Sequence, residues 1–187
     1  SRSPWCRSAT RSSRAVRRLG YHGVNVTEVM REARLTHGGF YAHFASRDAL
    51  LSEAVARAGA DIAGVLRGQI ERWAAVGASP FRALVETYLA MDHVRDCDNG
   101  CPVSLLSGEI ARQVPEVREP SRRLIANLHA LVRDVLPAGA PPDAAWTVAS
   151  ALLGAVQLAR ALVDGDSAAA GAILADTKSN LLARYDT

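Results

Sequence analysis

Proline and glycine fall in this chain mostly between long stretches rich in Ala, Leu, Arg and Glu, and that punctuation constrains the fold more than any other feature. Such stretches favour helix, whereas the alternating Val, Ile, Thr and aromatic runs that mark strands are scarce. The chain is therefore expected to be all-α. Breaks at "VGASP" (76–80), "RDCDNG" (95–100), Pro115, "PAGAPP" (137–142) and "DGD" (164–166) separate predicted helices at about 47–75, 80–94, 102–113, 116–135, 142–163 and 167–185. A length of 187 residues, with 49% hydrophobic and 22% charged, suits one domain, or a small one fused to a larger one, and gives no support to low-complexity disorder.

Charge is distributed unevenly. Residues 1–47 hold nine Arg against Glu28 and Glu32, a net +7, while residues 48–187 carry −4, so the overall +3 conceals a basic head on an acidic body. A basic end of this kind is the electrostatic footprint of contact with a polyanion. Three cysteines, Cys6, Cys97 and Cys101, argue against a disulfide framework. The longest nearly uncharged run, 144–159, is short for a bilayer span and contains Thr, Ser and Gln, so no membrane partner is expected. There is no signal-peptide pattern, and the expected location is cytoplasmic; Ser1 in place of Met points to a trimmed or partial chain.

Within the head, Thr27 is the predicted N-cap of a short helix (27–33) with Val29, Met30 and Ala33 facing inward. Residues 34–36 connect it to a second short helix, 37–44, and Ser46 caps the long helix that follows, with Asp48 near its positive end. Two short helices joined by so short a turn form the helix-turn-helix pattern. In "LTHGGFYAHFASRDALL" (35–51), Phe40 and Phe44 are spaced i, i+4 and anchor one face. Gly38, Gly39 and Ala42 thin the other face, so that the backbone can approach a major groove. Thr36 and His37 stand where first-turn side chains reach base edges. Tyr41, His43 and Arg47 are placed to contact phosphates.

Residues 20–55, "GYHGVNVTEVMREARLTHGGFYAHFASRDALLSEAV", resemble the DNA-binding head of TetR/AcrR-type transcriptional repressors. The shared skeleton is Gly-Tyr, a helix ending in "REA", Leu-Thr-x-Gly-x-Phe-Tyr-x-His-Phe, and Ser-Arg-Asp-x-Leu-Leu. "GCPVSLLSGEIAR" (100–112) resembles a block found in some members. The resemblance implies an Ω-shaped homodimer whose helical body binds a small molecule. The chain departs from the family at Arg34, where members usually have Gly, and at Arg17 and Arg18, which stand where the first helix normally ends its apolar face. Arg34 would be costly at a left-handed position but adds a possible phosphate contact. The expected DNA-facing set is Thr27, Arg34, Thr36, His37, Gly38, Gly39, Tyr41, His43 and Arg47.

The expected architecture is thus a three-helix helix-turn-helix head (1–46) and a ligand-binding and dimerisation body of about six helices (47–187). Candidate effector contacts are Trp73, Tyr88, Met91, Leu105, Glu109, Leu128 and Trp146, with Glu109 able either to select a cationic ligand or to pair with Arg112. The apolar helix at 145–163 and the segment after it, about 142–185 together, are the expected homodimer surface. No G-x-S-x-G, H-E-x-x-H, phosphate loop or C-x-x-C occurs, so neither an enzyme nor a cofactor is expected.

The reading that emerges is a ligand-responsive regulator, a repressor released from double-stranded operator DNA by a small apolar effector. Two alternatives stay open. His93, Cys97 and Cys101, spaced by four, suit a thiol- or metal-responsive sensor, although no dedicated metal site is expected. A regulator whose first helix no longer supports DNA binding is the other.

Overall fold

The computed structural model describes residues 4–33, 41 and 43–186. Among them are nine helices and no strand: α1 (Pro4–Gly23), α2 (Val26–Ala33), α3 (Arg47–Ala74), α4 (Pro80–Tyr88), α5 (Met91–Arg95), α6 (Pro102–Ile110), α7 (Pro115–Val135), α8 (Ala144–Leu162) and α9 (Ser167–Tyr185). The all-α expectation holds. The second helix of the helix-turn-helix, predicted at 37–44, lies largely outside the described residues.

Local chemistry sets most helix starts. Ser46 Oγ accepts from Ala49 N–H at 2.9 Å at the start of α3, as its type and place in the sequence predict. Ser79 Oγ accepts from Arg82 N–H ahead of Pro80, and Asp166 Oδ1 accepts from Ala169 N–H at the start of α9. One prediction is corrected at α2. The capping residue is Asn25, not Thr27: Asn25 Oδ1 accepts from Thr27 N–H at 2.9 Å and its carbonyl from Val29 N–H at 3.0 Å. Asn caps as well as Ser and better than Thr, so the helix starts earlier and Thr27 becomes part of its exposed first turn.

The predicted helix at 80–94 is two helices. Leu89 leaves the helical region and Ala90 is extended (φ −78°, ψ 142°), with no Gly or Pro nearby. Contacts from elsewhere hold the break: the Arg160 guanidinium on α8 donates to the carbonyls of His93 and Val94 at 3.0 and 3.1 Å.

The chain divides into two compact units, Ser1–Ile62 with Cys97–Leu124 and Ala63–Asp96 with Ile125–Thr187. In the first, α1 packs on α2 and α6 around Val16, Tyr21, Val24, Met30, Leu50, Val55, Leu106 and Val117, all buried. Gly59 on α3 permits a close approach there, because a Cβ in its place would stand 2.1 Å from Leu124 Cδ2. In the second, α8 and α9 pack together and both meet α4 over Phe81, Leu84, Tyr88, Leu152, Val156, Leu174 and Tyr185. The Tyr185 ring meets Phe81 edge-on at 5.8 Å, and Lys178 Nζ pairs with Glu86 Oε2 at 2.6 Å.

Candidate nucleic-acid interface

The head is organised around the end of α1. Val16 and Tyr21 are fully buried, and so are Ser12 and Ser13. Arg17, one of the departures from the family pattern, points inward with only 3% of its surface exposed. Its Nη2 donates to Ser13 Oγ at 2.7 Å and pairs with Asp61 Oδ2 at 3.2 Å, while its Nε donates to the Ser13 carbonyl. Asp61 is shared with Arg57, one turn away on α3. Burial lowers the Arg17 pKa from its ordinary value, and Asp61 opposes that shift. The inner face of α1 is therefore closed by an ion pair and hydroxyls as well as by apolar groups.

Gly20 then breaks the helix at φ 71°, a conformation open to Gly and costly to other residues. A Cβ there would also stand 2.5 Å from Glu109 Oε1 on α6. The reversal directs Tyr21 inward, where its hydroxyl meets Ser121 Oγ on α7 at 2.6 Å. Burial pushes the Tyr21 pKa up, and the nearby Glu109 carboxylate adds to the shift.

Arg47, at the first position of α3, fastens the turn between α1 and α2. Its Nε donates to the Val24 carbonyl at 3.2 Å and its Nη2 to the Tyr21 carbonyl. Two carbonyls at the end of α1 and the entry to α2 are thereby satisfied. Arg47 keeps 39% of its side-chain surface exposed, which leaves it accessible to a phosphate while it serves this structural part.

Of the expected DNA-facing residues, Thr27, Tyr41 and His43 are exposed, with Tyr41 at 63%, and Phe44 behind them is buried. Arg34, Thr36, His37, Gly38 and Gly39 lie outside the described residues, as do Phe40 and Ala42. Val29 and Met30 face inward as the sequence predicts.

Residues 14–54 match the family described as bacterial regulatory proteins, tetR family. The match covers the head alone. Several of the matching solved structures are described as TetR-type regulators. One from Legionella pneumophila aligns at TM-score 0.77 and 14% identity, covering 99% of this chain and 98% of that one. Another from Agrobacterium tumefaciens gives 0.73 at 18%, covering 95% and 98%. The reduced form of Escherichia coli NemR gives 0.72 at 16%, covering 95% of each chain. No curated protein matches the sequence significantly. At these identities the structures establish a TetR-type fold for the chain.

The candidate effector residues are distributed over both units. Trp73, Tyr88, Met91, Leu128 and Trp146 belong to Ala63–Asp96 with Ile125–Thr187. Tyr88 and Leu128 are core, whereas Trp146 is 52% exposed and stacks on His129 with ring centroids 4.0 Å apart. Leu105 and Glu109 belong to the unit that contains the head, where Glu109 lies against Gly20. Arg112 donates instead to the Gly108 carbonyl at 3.3 Å.

Cys101 is buried at the start of α6, where its carbonyl accepts from Ser104 Oγ, and Cys97 is partly exposed; neither is in a disulfide. His93 is held at Nδ1, 2.6 Å from the Tyr88 carbonyl, with its ring edge-on to the Tyr88 ring. Because a carbonyl only accepts, Nδ1 carries the proton. Among the described residues, no group of three His, Cys, Asp or Glu side chains is placed to hold a metal ion.

The sequence reading missed Asp61, Ser121 and the packing of Gly20 on Glu109, none of which carries a local signal. It also passed over the spacing of Arg11, Arg14 and Arg18, which was legible.

Proposed function

We propose that this protein is a homodimeric, ligand-responsive transcriptional regulator, a cytoplasmic repressor that a small apolar effector releases from operator DNA. The observation that carries the reading is the match of residues 14–54 to the TetR-family head, on a chain whose whole length aligns with TetR-type regulators. The basic charge of residues 1–47 supports the same partner, since Arg-rich surfaces supply the sequence-independent part of DNA affinity.

The division of roles follows: residues 1–46 bind DNA, and 47–187 bind effector and dimerise. Residues 37–44 would enter the major groove, with Thr36 and His37 on base edges and Tyr41, His43, Arg34 and Arg47 on phosphates. Two heads on one dimer would read half-sites about 34–36 Å apart or a multiple of that. Dimerisation through about 142–185 is supported by α8, in whose most apolar window only 39% is buried within one chain. Trp146 and Leu158 on that helix are 52% and 58% exposed, an apolar face suited to a second copy. Effector release requires unequal effector affinity for the DNA-bound and free head spacings.

The test is binding to duplex DNA from the region upstream of the gene, titrated over a range of salt against a scrambled competitor. Sequence-selective binding with a steep salt slope supports the reading. Weak binding that is indifferent to sequence overturns it.

A further inference from the structure

Arg11, Arg14 and Arg18 stand at i, i+3 and i+7 on α1 and line one cleft of about 300 Å³, together with Asp98 and the apolar side chains of Leu19 and Val24. All three guanidiniums lie on one helix face, where like charges repel and weaken the helix. One of them is compensated: Arg18 Nη1 is 3.8 Å from Asp98 Oδ1. Among the described residues no carboxylate lies within ion-pairing distance of Arg11 or Arg14. Asp98 Oδ1 is shut off from solvent, yet it accepts no hydrogen bond from any described group.

Two uncompensated guanidinium forks and an apolar wall in one concavity form a consistent set. The forks match the oxygens of a phosphate group, which they can hold by paired hydrogen bonds. The cleft's size is at the lower end of small-molecule sites. We propose that the Arg11–Arg14–Arg18 cleft is a phosphate-binding site on the head. The phosphate comes either from a small phosphorylated molecule or from the DNA backbone. Its occupation relieves the repulsion along α1 and ties that helix to the segment before α6.

The probe is inorganic pyrophosphate, titrated calorimetrically into the full chain at low salt. Wild type is expected to bind it, and Arg11→Gln/Arg14→Gln to bind at least about tenfold more weakly, the loss expected for hydrogen bonds to a charged group. Arg133→Gln, which removes an exposed guanidinium elsewhere, serves as the charge control and is expected to bind as wild type does. Thermal unfolding of the double variant should be unchanged or slightly later, since repulsion is removed. The second arm is duplex DNA titrated across salt. A slope shallower by about two in the double variant identifies the backbone as the phosphate source. An unchanged slope with pyrophosphate binding lost identifies a free phosphorylated molecule. The proposal is overturned if the double variant matches wild type in both arms, or if the control loses as much as the double variant. Pyrophosphate uptake needs no DNA, so a wild type that binds no DNA removes the regulator reading without touching this one.

Discussion

Tyr21 and Ser121, a hundred residues apart in sequence, share a 2.6 Å hydrogen bond between two buried hydroxyls. Ser121 Oγ has one proton and donates it to the Val117 carbonyl at 2.8 Å, so Tyr21 must be the donor in the pair. The Tyr21 ring belongs to the head's core and Ser121 to α7, which makes this bond a direct tie between the two elements.

Tyr21→Phe keeps the ring and removes only the donor. Ser121 then loses an incoming hydrogen bond but keeps its own proton satisfied, so the cost is expected to be modest, about 1 kcal/mol. Urea unfolding should show a lower midpoint with an unchanged slope. A midpoint equal to wild type would mean that the hydroxyl pair contributes nothing.

Arg17 and Asp61 make a sharper case. Removing the acid by Asp61→Ala leaves a guanidinium that is 2% exposed without its partner. Breaking a fully buried pair costs about 3–5 kcal/mol, and because the Asp61 side chain is 34% exposed the expected loss is nearer about 2 kcal/mol. Replacing both partners in Arg17→Met/Asp61→Leu should recover part of it, since no charge is then left stranded. Denaturant midpoints of the single and double variants decide this: a double variant less stable than Asp61→Ala contradicts the account.

The same residue shows where sequence reading stops. Most helix boundaries were legible because Pro, Gly, Ser and Asp punctuate the chain at short range, as Ser46, Ser79 and Asp166 do. Arg17 looked like a fault in an apolar face because its partner is 44 positions away on another helix. The break at Leu89–Ala90 was equally hidden, since Arg160, which holds it, lies on α8. Asn25 was missed for a different reason: two capping types stand two residues apart, and the side chain that accepts the N–H is Asn25. For the candidate site, side-chain type and spacing pointed to Tyr41 and His43, which are exposed, and to Arg47, which is half-exposed. They did not reveal that Arg47 also holds the carbonyls of Tyr21 and Val24.

Gly20 should tolerate no side chain cheaply. Gly20→Ala must place a Cβ at φ 71° and displace the end of Glu109. The backbone part alone costs about 1–2 kcal/mol. Because Glu109 ends in a flexible carboxylate, Gly20→Ala/Glu109→Ala should regain the steric part and leave the backbone part in place. Thermal unfolding of both variants tests this, and a double variant as stable as Glu109→Ala alone would show that the left-handed turn imposes no requirement for glycine.

His93 predicts an acid-side loss of stability. Burial lowers its pKa below the ordinary histidine value; the hydrogen bond to the Tyr88 carbonyl opposes the shift, the Arg160 guanidinium adds to it, and Asp96 opposes it. The folded state therefore takes up the proton less readily than the unfolded chain does. The stability linked to this group is fully present above the unfolded pKa of about 6.5 and is lost as pH falls through that value toward the folded pKa. Other groups also titrate in this range, so the informative quantity is a difference between proteins. His93→Asn retains a donor for the Tyr88 carbonyl but cannot titrate. Its urea midpoint should fall less than that of wild type between about pH 7.5 and about pH 5.5, whatever its stability at the higher value. An equal fall in both proteins would place the acid sensitivity in other groups and leave His93 a purely structural support for the break between α4 and α5.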